Sequence, residues 1–197
     1  MIISHKHKFI FIKTQKTAGT SIEIALSKIC GRDDVITPIS DKDETKRMEL
    51  AGRGAQNYNI PIRGYSKADF LRLIVKGKRL RYFNHMNAET VRKYIGEEIW
   101  SSYYKFTFER NPYDKVLSLF YYTKQNEKFT INEFIQNKSF VKLRGYDQYS
   151  IDGMPAVDKI YKFEDLESEM CDISRKLNLD NSVKIPTYRA KGGFRKS

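Results

Sequence analysis

The sequence has no apolar run approaching the roughly 20 residues that a membrane span needs. Nor does its N-terminal end carry the apolar segment and small-residue cleavage site of a signal peptide. Both absences set the expectation of a cytoplasmic protein without a membrane span. Cysteine is scarce: Cys30 and Cys171 lie far apart, on predicted helices. No metal-ligand spacing surrounds either, so no metal is expected, and both thiols are expected to be buried and free. There is no internal repeat and no low-complexity tract. The phosphate-loop pattern G-x-x-x-x-G-K-[ST] is missing as well, which counts against an ordinary nucleotide kinase. Acid disappears towards the end: from Asn181 onward there is none, while Lys184, Arg189, Lys191, Arg195 and Lys196 are present.

What is there fits a globular chain of 197 residues, with 40% hydrophobic and 30% charged positions. That length suits one domain, 1–197, with a sizeable core. Lysine and arginine number 36 against 24 acids, a formal charge of +12. Such a field implies an anionic partner: nucleic acid, an acidic polymer, or a polyanionic small cofactor.

The chain is organised around Lys8–Cys30. Phe9-Ile10-Phe11-Ile12 reads as a buried strand. Ile22, Ala25, Leu26 and Ile29 follow at the spacing of one helix face. Between them lies the turn Thr14–Ser21, built from small hydroxyl residues, Gly19 and Lys16. A strand entering a helix through such a turn points backbone N–H groups and the positive helix end at one spot, a geometry that binds phosphate or sulfate. Lys16 adds a mobile cation, and Thr17, Thr20 and Ser21 add hydroxyls. The competing reading is an ordinary strand–helix turn capped by Ser and Thr.

Beyond Gly31, a helix stop, residues Asp33–Gly64 show no sustained period and read as a long surface excursion with one helical turn at most. Helices are predicted over Ala68–Val75, Ala88–Ile95, Pro112–Gln125, Thr130–Gln136 and Asp165–Leu177. Strands are predicted at Arg81–Asn84, Tyr103–Glu109 and Ala156–Phe163. Alternating strands and helices predict an α/β fold with a mainly parallel central sheet flanked by helices, its ligands at the strand C-termini. Lys16, His85 and Arg110 all fall at such ends, with Ser118 nearly two turns into the helix after Arg110.

The segments KTAGTSIE, FNHMNAETVRKYIG and YYKFTFERNPYDKVLSLFYY, in this order, resemble the sulfotransferases that use 3′-phosphoadenosine 5′-phosphosulfate (PAPS). The likeness runs from about Lys8 to Leu166 and is nearest to the carbohydrate O-sulfotransferases of the heparan and chondroitin type. It implies a P-loop-like three-layer fold. It further implies that Lys16, Thr17, Ala18, Gly19, Thr20 and Ser21 bind the 5′-phosphosulfate, that Arg110 and Ser118 bind the 3′-phosphate, and that His85 is the general base. The tail around Arg189 and Lys191 resembles the basic, glycine-containing loop that cytosolic members fold over the 3′-phosphate. Gln15 stands where the family commonly has proline, and Glu109 where an apolar residue is usual.

The resemblance implies PAPS as donor, adenosine 3′,5′-bisphosphate as product, a hydroxyl-bearing acceptor of saccharide type, and neither metal nor nucleic acid. The chemistry suits the residue types. Negative charge builds on the leaving phosphate oxygen, where a lysine and backbone N–H groups stabilise it. The acceptor hydroxyl must lose a proton, a task for neutral histidine. Two alternatives stand beside this reading: a P-loop-type kinase, and a basic nucleic-acid-binding module without catalysis. The loop Asp33–Gly64 and the segment Ser139–Pro155, with Tyr146 and Tyr149, are where the acceptor would be read.

Overall fold

The computed structural model describes residues 1–124, 127–141, 143–179 and 183–186. In chain order the first half contains β1 (Ile2–Ser4), β2 (Phe9–Ile12), α1 (Gly19–Ser27), β3 (Val35–Ile36), α2 (Asp41–Glu49), α3 (Lys67–Lys76), α4 (Ala88–Ile95) and α5 (Glu97–Ser102). The second half contains β4 (Tyr104–Glu109), α6 (Pro112–Tyr122), α7 (Ile131–Gln136), α8 (Tyr146–Tyr149), β5 (Ser150–Ile151), β6 (Met154–Pro155), β7 (Lys159–Lys162) and α9 (Leu166–Lys176).

Five strands form the central sheet in the order β3-β1-β2-β4-β7, and β5 pairs with β6 in a separate hairpin. The pairs β2–β4 and β4–β7 are parallel, while β1 runs antiparallel to both β2 and β3. Four of the five strands thus run in one direction, with β1 alone reversed, and the sheet is covered on both faces, which is why Phe9–Ile12 is apolar at every position instead of alternating. Phe9 and Phe11 join Phe106, Phe108 and Tyr161 on one face, under Ile22, Ala25 and Leu26 of α1 and Met170 and Ile173 of α9. Ile10 and Ile12 face the other way, onto Ala88 and Val91 of α4 and Trp100 of α5.

Several expectations need correction. Arg81–Asn84 is no strand: it makes one isolated bridge, Arg81 to Asn59, and stays outside the sheet. Only Tyr82 of that stretch is buried, so one side chain anchors a segment whose neighbours face solvent. His85 consequently sits in a turn, with φ of 60°. The excursion Asp33–Gly64 holds more order than its lack of period implied: β3 extends the sheet, and α2 runs nine residues from its N-cap Ser40. The expected helix Pro112–Gln125 ends at Tyr122, and the last strand shortens to Lys159–Lys162. Cys30 is buried as expected, but Cys171 is exposed, because it lies on the outer side of α9 between the buried Met170 and Ile173.

Candidate functional site

The turn after β2 is held in a curled conformation by two left-handed residues, Lys16 (φ 62°) and Ala18 (φ 56°). Ala18 is the N-cap of α1 and has no side chain able to cap. The first helical N–H groups are thus presented without the usual Ser or Thr oxygen in front of them. Thr17 does not add its hydroxyl to that opening. It is fully buried and bonded within the turn, 3.0 Å from Thr14 Oγ1 and 3.3 Å from Thr14 O. Thr14 Oγ1 in turn donates to Phe108 O, and Thr107 Oγ1 donates to Ile12 O at 2.8 Å. These bonds fasten the turn to the neighbouring parallel strand β4.

Beneath the turn lies a charge pair that sequence reasoning missed. Lys13, 4% exposed, reaches under Gly19 to Glu23 Oε2 and to Thr20 Oγ1 (3.2 Å). A Cβ at residue 19 would come within 2.7 Å of Lys13 Cγ, so only glycine lets the lysine pass. Glu23 is fully buried on α1 and also meets the Met1 amino group. Ile22, Ala25 and Leu26 gave the helix face, but a lysine and a glutamate ten residues apart carry no periodic signal.

His85 joins this assembly from the other side of the chain. Its Nδ1 lies 3.0 Å from Lys13 O. A carbonyl only accepts, so Nδ1 carries a proton, and in the neutral ring the lone pair is then on Nε2. Gln148, fully buried on α8, donates to His85 O at 3.0 Å and to Lys13 O at 3.4 Å. It ties the histidine turn to the end of β2, a role the sequence did not show.

Arg110 and Ser118 enter through β4 and α6. Since β2 and β4 are adjacent and parallel, Arg110 leaves its strand beside the end of β2. Its guanidinium stacks 4.3 Å over the Phe163 ring. Glu164 Oε1 accepts from Asn111 N at 2.8 Å, and that bond, with the Arg110 charge in support, holds the Glu164 carboxyl below its ordinary pKa. Asn111 also caps α6 through Tyr113 N and Asp114 N. Lys16 Nζ lies 3.9 Å over the ring of Tyr122 on α6. Ser118 is one turn before Tyr122 on the same face of α6. Phe120 is core, while the outward Tyr122 is the contact to Lys16.

The two unusual residues have partners. Glu109 receives Lys115 Nζ at 2.8 and 3.1 Å, and Gln15 Oε1 accepts from Arg144 N at 3.0 Å. Tyr149 is buried packing, whereas Tyr146 is half exposed and bonds Gly153 O. Arg189 and Lys191 lie outside the described residues. Among the described residues no cluster of His, Cys, Asp or Glu is arranged to hold a metal ion.

Three comparisons with known proteins bear on this arrangement. A family model described as "Sulfotransferase family" matches residues 1–154, a span containing Lys16, His85, Arg110 and Ser118. A protein of Archaeoglobus fulgidus, described as an uncharacterized protein, is 27% identical over 106 residues, covering 51% of this chain and 88% of its own length. No solved structure matches.

Proposed function

Because the chain belongs to the sulfotransferase family, we propose that it moves the sulfonyl group of PAPS to an acceptor hydroxyl, with a saccharide as the acceptor class. The observation that carries this reading is the hydrogen bond from His85 to Lys13 O. It joins a candidate base to the end of the strand whose following turn is curled for an anion. The residues present fit such a donor. The turn offers backbone N–H groups ahead of an uncapped α1 and the cation of Lys16, and Arg110 and Ser118 stand on the adjacent strand and helix for a second phosphate.

In this reading the donor arrives already activated, so the protein's part is positioning, charge stabilisation and removal of one proton. Lys16 and the α1 N–H groups stabilise charge developing on the leaving 5′-phosphate oxygen. Nε2 of His85 accepts the proton of the attacking hydroxyl, while Nδ1–H stays on Lys13 O and fixes the tautomer. Arg110, held flat by Phe163, binds the 3′-phosphate together with Ser118. The loop residues of Asp33–Gly64 and Ser139–Pro155 read the acceptor.

Isothermal titration with adenosine 3′,5′-bisphosphate, with AMP and ATP as controls, tests the donor assignment on wild type and Arg110→Ala. The expected result is binding that requires the 3′-phosphate and is lost in the variant. Equal affinity for AMP or ATP would sink the PAPS reading.

A further inference from the structure

α3 (Lys67–Lys76) is turned inside out relative to an ordinary surface helix, which buries its apolar stripe. Asp69 and Leu73 form its inner row. Asp69 lies 3.5 Å from Lys93 of α4 and accepts from Tyr94 Oη at 3.4 Å. The outward side carries Phe70, Leu71, Ile74 and Val75, between 48% and 72% exposed, and no residue of the helix is buried. The helix itself is well specified, by a reciprocal Ser66–Asp69 capping box and a left-handed Gly77 C-cap. Its apolar face is therefore a fixed surface, of the sort that marks an interaction site.

The surrounding charge has one sign. Arg72, Lys76, Lys78, Arg79 and Arg81 are all exposed, and no acid occurs between Asp69 and Glu89. Phe83, also exposed, adds a further apolar side chain beside this basic stretch. A second copy seated here would bring two such cationic clusters together. A nucleic acid would match the charge but leave four apolar side chains without a partner. An anionic bilayer satisfies both, taking apolar side chains into the acyl boundary and cations at the headgroups.

We propose that α3 and the basic stretch after it dock the protein on an anionic lipid surface. Phe70, Leu71, Ile74 and Val75 enter the acyl boundary, and Lys78, Arg79 and Arg81, just beyond the helix, face the lipid phosphates. The helix lies in the interface and does not cross it; among the described residues no helix is long and apolar enough to do so.

Co-sedimentation of the full chain with phosphatidylcholine vesicles, with and without phosphatidylglycerol, tests this. Wild type is expected to sediment with the anionic vesicles only, and less so as salt rises. Lys78→Gln with Arg79→Gln is expected to weaken that partition by about thirty-fold. Leu71→Glu with Ile74→Glu is expected to abolish it. These positions are exposed, and unchanged binding of adenosine 3′,5′-bisphosphate in each variant reports an intact fold. Wild type remaining in the supernatant with both vesicle types overturns the proposal. So does equal binding to neutral vesicles, or a concentration-dependent dimer that Leu71→Glu with Ile74→Glu dissolves.

Discussion

At the scale of single residues, the assignments separate chemistry from binding. His85→Ala removes the proposed base while leaving the turn after β2 and Arg110 in place. Turnover with PAPS is therefore expected to fall by about 10²- to 10⁴-fold, with the affinity for adenosine 3′,5′-bisphosphate unchanged. A parallel loss of affinity would mean that His85 holds the turn instead of taking the proton. Asp34 allows a test of stability. Its carboxylate accepts from Ser4 Oγ, His5 N, Lys6 N and Gly31 N, at 2.7 to 3.0 Å. Burial alone would raise its pKa, but these four bonds outweigh burial and hold it below the ordinary 3.8. The folded protein thus binds this proton more weakly than the unfolded chain. The stabilisation is complete above pH 3.8 and is lost as pH falls through the lower native value. In Asp34→Asn the amide nitrogen faces two donors, which should cost about 1–3 kcal/mol at neutral pH. Urea melts across the acid range should show the gap to wild type closing below pH 3.8.

At the scale of elements, the unit β2–turn–α1 depends on the buried Lys13–Glu23 pair as much as on its apolar faces. Removing one member leaves the other charged and buried, so Glu23→Ala should destabilise by about 3–5 kcal/mol. The double variant Lys13→Met with Glu23→Leu should recover only part of that loss in thermal melts, because the buried Met1 amino group keeps only Thr37 and Asn84 as partners. If Glu23→Ala alone were neutral, the pair would have no structural role. α6 is the complementary element. Asn111 sets its start, Tyr122 packs under Lys16, and Ser118 lies one turn before Tyr122.

At the scale of the whole molecule, the parallel strands β2, β4 and β7 gather Lys16, Arg110 and Phe163 at one sheet edge. In the two proposals above, the +12 charge would meet a polyanionic donor and, at α3, an anionic surface. A ligand bound across β2, β4 and α6 should stabilise the fold as a unit. A hundredfold excess of adenosine 3′,5′-bisphosphate over its Kd should raise Tm by roughly 5–10 °C. AMP should do less, and Arg110→Ala should abolish the difference.

The sequence by itself determined the α/β class, the parallel sheet and the Lys16 turn, because FIFI is apolar at consecutive positions and the helix after it repeats at helical spacing. Local rules reach that far: burial on two faces and a small-residue turn are written in adjacent residues. It also placed Arg110 before a Pro-started helix, for the same reason. Tertiary structure decided the rest. The bond from His85 to Lys13 spans 72 residues, and Gln148 reaches Lys13 across 135 and His85 across 63. Glu109 with Lys115, and Lys16 with Tyr122, are partnerships between side chains on different elements, invisible to any period. Arg81–Asn84 read as a strand because the adjacent aromatics Tyr82 and Phe83 have strand preference. Whether such a segment joins a sheet depends on which strand edges remain open, and that is set only when the whole chain has packed.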